Sequence, residues 1–162
     1  MDRDRNKDKA LNMSLRYLGY KMRTEKEIKN YLHRKEFSDE DITYVINKLI
    51  DYNYINDIEY TELWIRDKYN FSNHGRYRIK TDLLKKGLSK EIIEEKIDNF
   101  FNEAKEKEKI KQLYFKKNPD NHKLEPKQLN TICNYILRRG FPGGLVRKTV
   151  YNLQNKSDID QS

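Results

Sequence analysis

The chain has 162 residues, of which 36% are hydrophobic and 37% charged, and it carries a formal net charge of +8. So few apolar residues exclude a thick core, while their regular spacing, with only three prolines and six glycines, excludes a disordered chain and points to a thin, elongated one. The single cysteine, Cys133, excludes an internal disulfide and a cysteine-based zinc site and fits a reducing cytoplasm; with no export signal and no run long enough to span a bilayer, a cytoplasmic protein is expected.

Behind a charged N-terminal stretch, Leu11, Leu15 and Leu18 recur at helical spacing up to Gly19. Thr24 and Glu27 form a capping box, so a second helix starts there, with Ile28, Tyr31 and Leu32 on its inner face. It ends near Arg34-Lys35, Phe37 turns inward, and Ser38 caps a third helix carrying Ile42, Val45, Ile46 and Leu49. Asn56 and Glu59 signal a fourth helix with Tyr60, Leu63 and Trp64 inside. After the loop from Phe71 to Gly75 comes a helix over Arg76 to Lys86, stopped by Gly87. Ser89 then caps one that carries Ile92, Ile93, Ile97 and Phe100. No breaker lies between Phe100 and Asn118, so this helix is expected to run on into the next, through Ile110, Leu113 and Tyr114. A loop from Asn118 to His122 follows; Pro126 opens a helix that Gly140 ends, and Gly143-Gly144 turns into the last one.

Ile28, Leu32, Arg34-Lys35, Phe37, Ile42, Ile46 and Leu49 recur 51 residues later as Ile79, Leu83, Lys85-Lys86, Leu88, Ile93, Ile97 and Phe100. A further 53 residues on they are Ile132, Ile136, Arg138-Arg139, Phe141, Val146, Val150 and Leu153. The expected fold is therefore all-α: tandem three-helix repeats in three copies, an elongated, curved array. The divisions are 1–57, 58–103 and 104–155, with a frayed tail over 156–162. The charge is uneven: residues 104–162 hold 13 Lys+Arg against 6 Asp+Glu, whereas 1–57 hold 12 against 11 and 58–103 hold 9 against 9.

Chemistry-bearing groups are sparse. His33, His74 and His122 are scattered and read as surface or loop histidines, Cys133 as a packing thiol, and Gly143-Gly144 lacks the lysine and strand of a phosphate loop. No enzyme, metal or cofactor is expected. The basic doublets Arg34-Lys35, Lys85-Lys86 and Arg138-Arg139 would line one edge of a stacked array and suit a phosphate backbone; cations in a last helical turn also favour its dipole without any ligand. Arg76, Arg78 and Lys80 oppose the dipole at a helix start, which marks an anion site there or a solvated face.

The strings Arg23-Thr24-Glu25-Lys26-Glu27-Ile28, Leu32 through Phe37, Asn53-Tyr54-Ile55-Asn56-Asp57, Arg78-Ile79, Lys86-Gly87-Leu88 and Arg139-Gly140-Phe141 resemble, in order and spacing, the RecX regulatory proteins of bacteria. The likeness covers about residues 10 to 153 and departs at Glu36 and Asn53, where the family usually has glycine. Asn tolerates the left-handed conformation, whereas Glu36 would pay about 1 to 2 kcal/mol or end the helix differently. The resemblance implies a monomeric partner of the RecA recombinase and its filament on single-stranded DNA. Lying in the filament groove, such a protein blocks strand exchange and co-protease action, suppresses ATP turnover and promotes filament disassembly. A RecA-independent module that binds single-stranded nucleic acid is the alternative.

Overall fold

The computed structural model describes residues 2–157, with side-chain surroundings over 4–155; from residue 158 on, the expected frayed tail lies outside the described residues. Among them are nine helices and no strand: α1 (Asp2–Leu18), α2 (Glu25–His33), α3 (Asp39–Asp51), α4 (Asp57–Phe71), α5 (Arg76–Lys85), α6 (Lys90–Phe100), α7 (Glu103–Lys117), α8 (Pro126–Arg138) and α9 (Gly143–Ser157). None is long and apolar enough to cross a membrane. The described residues fold into two compact units, one up to Trp64 and again over Leu83–Ile93, the other over Ile65–Asp82 and from Glu94 onward.

In the first unit the capping box forms as expected: Thr24 Oγ1 accepts from Glu27 N–H (3.2 Å), and Glu27 Oε2 accepts from Thr24 N–H (2.9 Å). Ser38 caps α3 by accepting from Asp41 N–H. Ile28 and Leu32 of α2 then meet Ile42, Val45, Ile46 and Leu49 of α3 in one buried core, with Leu11, Leu15, Leu18 and Phe37 packed at its edge. Each such aliphatic side chain contributes about 1.5–3 kcal/mol by leaving water. The helix before them is longer than its apolar stripe suggests. It begins at Asp2 because Ala10 is buried and Lys7 pairs with Glu40 (3.6 Å) and lies over the Tyr44 ring, which holds the charged turns on α3.

Asn56 caps α4 by accepting from Glu59 N–H (3.0 Å). The inner stripe of α4 is Tyr60, Thr61, Ile65 and Tyr69, while Leu63 and Trp64 are only half-buried. A helix of mixed aromatic and polar residues offers several competing stripes, and packing selects among them.

The continuous helix expected after Phe100 does not form. Asn102 leaves helical geometry (φ −139°, ψ 166°) and caps α7, accepting from Lys105 N–H at 2.8 Å, while Lys105 Nζ donates to the Phe100 carbonyl at 3.1 Å. The break turns Phe101 into the core, where its ring packs edge-on to Tyr69. Beyond it, Ile110, Leu113, Tyr114, Ile132, Ile136, Phe141, Val146 and Val150 form a second buried cluster in this unit. The Tyr114 hydroxyl anchors the following loop: Asn118 Nδ2 and Gln154 Nε2 donate to it, and it donates to Asn121 Oδ1.

Candidate functional site

Two junctions of the same make decide which cations are available. In the first unit, Thr24 Oγ1 at the head of α2 donates to the carbonyl of Lys86 just past α5 (3.0 Å). In the second, Gly75 N–H at the head of α5 donates to the carbonyl of Arg139 just past α8 (2.7 Å), and Tyr77 N–H to that of Gly140 (3.0 Å). Thr24 and Gly75 are 51 residues apart, Lys86 and Arg139 53 apart, so both ends keep the sequence offsets.

Close approach is possible because the receiving turn is glycine. Gly87 (φ +83°) lies against Lys26 and Gly140 (φ +90°) against Arg78, where an added Cβ would come within 2.8 Å of Lys26 Cβ and 2.4 Å of the Arg78 nitrogen. The equivalent turn after α2 carries Glu36 at φ 62°, on an exposed position; Asn53 is likewise left-handed at φ 56°.

At the start of α5, where an anion site or a solvated face was expected, two of the N–H groups are engaged: Gly75 and Tyr77 donate to the Arg139 and Gly140 carbonyls. Nor are its cations all free. Arg76 Nε meets the buried Glu106 carboxylate at 3.0 Å, with Asp98 at 3.8 Å and the Phe101 ring beneath, which explains a cation that opposes the helix dipole. Lys80 pairs with Glu94 at 2.6 Å. Lys86 binds Glu27 (3.1 Å) and sits over the Trp64 and Tyr60 rings. Burial works to lower the Lys86 pKa, but its bonds to Tyr60 and Glu27 outweigh that and raise it, so it stays charged inside the junction. These three cations stabilise the fold.

The others face outward. Arg34 caps α2, and Arg34, Lys35 and Lys85 are exposed, with no carboxylate partner recorded among the described residues. In the second unit, Arg78 and Arg138 are exposed and adjacent, Arg78 Nη1 reaching the Arg138 carbonyl at 3.4 Å, and Arg138 Nε turns back to the Asn134 carbonyl. Arg139 Nη1 donates to Ser72 O at 2.6 Å and its guanidinium lies over Tyr135. Three guanidinium groups from two separate helices thus surround the Gly140 turn.

Two neighbours of this cluster carry no local sequence signal. Phe71, at the end of α4 and next to the Ser72 that Arg139 holds, is 82% exposed. His74, read from sequence as a loop histidine, has a side chain only 12% exposed, whereas His33 and His122 are exposed as expected. Burial lowers the His74 pKa, and the Arg78, Arg139 and Lys68 charges lower it further, against the opposing pull of Asp82. Cys133 packs at the edge of the α7–α9 core, and burial raises its thiol pKa against the smaller opposing pull of the Arg147 charge. No cluster of three metal-ligating side chains occurs among the described residues.

Comparison with known proteins gives consistent matches. A family model described as RecX, first three-helix domain, fits residues 10–49, and one described as RecX, second three-helix domain, fits 56–97. A regulatory protein RecX of Oceanobacillus iheyensis is 27% identical over 157 residues, 94% of this chain and 56% of that protein. One of Finegoldia magna is 38% identical over 134 residues, 82% of this chain and 65% of that protein. The chain thus spans between about half and two thirds of the length of these curated relatives. The crystal structure of RecX from Lactobacillus salivarius superposes with a TM-score of 0.82 at 30% identity, covering 93% of this chain and 97% of that one.

Proposed function

This chain belongs to the RecX family of regulatory proteins, and from that premise we propose that it binds the RecA recombinase and its filament on single-stranded DNA and restrains ATP turnover, strand exchange and co-protease action. It acts by occupancy and carries out no catalysis. The observation that carries this reading is the placement of Arg78, Arg138 and Arg139 around one turn, with both exposed members lacking a carboxylate partner among the described residues while Arg76, Lys80 and Lys86 are paired with carboxylates within the fold. In the other unit, Arg34, Lys35 and Lys85 are exposed cations. A guanidinium held by a backbone carbonyl keeps its full charge for a phosphate or carboxylate partner.

The test is RecA ATPase on single-stranded DNA, titrated with this protein. Wild type is expected to inhibit at substoichiometric ratios, and Arg78→Gln with Arg138→Gln to need about tenfold more protein, with an unchanged thermal melt. Failure of wild type to inhibit at any ratio overturns the function; equal inhibition by the variant overturns the site. The exposed Phe71, next in sequence to the Ser72 whose carbonyl Arg139 holds, favours one second reading, a module that binds single-stranded nucleic acid without RecA by stacking and phosphate contacts. Its affinity would be the same with or without RecA, and removing two phosphate contacts would reduce the slope of log K against log salt by about 2.

A further inference from the structure

The loop between α4 and α5 combines a pinned backbone with one unsatisfied titratable group. His74 N–H donates to the Lys68 carbonyl (3.0 Å), Gly75 N–H to Arg139 O, and Ser72 O accepts from the Arg139 guanidinium, so the loop has little freedom to rearrange. Within it, His74 Nδ1 is buried and makes no hydrogen bond; the Asp82 carboxylate of α5 stands 4.0 Å away, beyond bonding distance. The groups around it are Lys68 from α4, Arg78 and Asp82 from α5 and Arg139 from the end of α8, with Lys109 of α7 reaching Asn73 of the same loop at 3.5 Å. Four cations and one carboxylate surround the ring and its loop.

We propose that this loop is a proton-linked phosphodiester site: a nucleic-acid phosphate held by Arg78, Arg138 and Arg139 draws a proton onto His74, and binding tightens as the pH falls below neutrality. The inference rests on the reading that this face meets a polyanion, and it adds how that contact is regulated. The cause is electrostatic. With the face empty, burial and then the Arg78, Arg139 and Lys68 charges keep the imidazole neutral. A bound phosphate offsets the two guanidinium charges, leaving as the dominant neighbour the Asp82 carboxylate, whose charge, 4.0 Å from Nδ1, favours the imidazolium. By reciprocity, protonating His74 strengthens phosphate binding by the same factor that phosphate strengthens protonation.

The experiment is calorimetric titration of the full chain, without RecA, with a short oligothymidylate, whose bases do not titrate near neutrality. It is run in buffers of different ionisation enthalpy between about pH 6 and about pH 8. Wild type is expected to take up close to one proton per bound site near about pH 6 and to gain up to about tenfold in affinity per pH unit there. His74→Asn should lose that uptake while keeping its affinity near about pH 8 within about twofold; Asp82→Asn, which retains the imidazole, should move the linkage to lower pH. Uptake that persists in His74→Asn overturns the assignment. Binding without proton uptake by wild type overturns the inference and leaves the polyanion reading intact, and absence of oligothymidylate binding at any pH rejects direct phosphate contact together with the linkage.

Discussion

Glu36 shows how one side chain can break a local preference where its neighbours allow it. At φ 62° a β-carbon costs about 1–2 kcal/mol, yet the position is exposed and nothing presses on it. Gly87 and Gly140 hold the same left-handed turn with a helix start lying against them. Glu36→Gly is therefore expected to stabilise the protein by about 1 kcal/mol after the added freedom of the unfolded chain is deducted. Gly140→Ala should destabilise by about 3 kcal/mol, the sum of backbone strain and overlap with the Arg78 backbone. Gly87→Ala should cost less, since Lys26 presents a flexible side chain. Urea melts of the three variants decide the order. The Thr24 box, the Ser38, Asn56 and Ser89 caps and the glycine stops were legible in the sequence, because each bonds donor to acceptor within a few residues. His74 was not: its burial is produced by α4, α5 and the end of α8 converging on one loop.

Helix ends were harder to read where the stop residue also fits a helix. Asn102 before Glu103 is a usable cap signal, but with no glycine or proline nearby it is masked by the helix-favouring run that follows, and α6 and α7 merge on paper. The partner of Arg76 was invisible for a different reason. Glu106 is thirty residues away and looks like an ordinary acid in the first turn of α7, although only 2% of it is exposed. Arg76→Ala would leave that carboxylate buried without its cation, at a cost of about 3 kcal/mol. Replacing both, Arg76→Leu with Glu106→Leu, should recover most of the loss. A double-mutant cycle by thermal melting checks this; additive losses would show that the pair does not act as a unit.

Across the whole molecule, the recurring block marks α2, α3, α5, α6, α8 and α9 in their order, while the compact units are assembled from interleaved stretches. Residues up to Trp64 need Leu83–Ile93 to complete their unit, which brings in the Lys86 carbonyl for Thr24 and the Lys86 ammonium for Glu27. A fragment of residues 1–57, cut where the pattern suggests a boundary, is therefore expected to keep helical content yet melt over a broad range, whereas the full chain melts sharply; circular dichroism during heating reports both. Pattern reading finds neighbours along the chain, and long-range complementarity is set by geometry that no single segment encodes. The glycine turns also bear on how such a chain could grow by duplication. A glutamate codon becomes a glycine codon through one change at its second base, so the exposed turn at Glu36 lies a single mutation from the residue that, at Gly87 and Gly140, receives another helix.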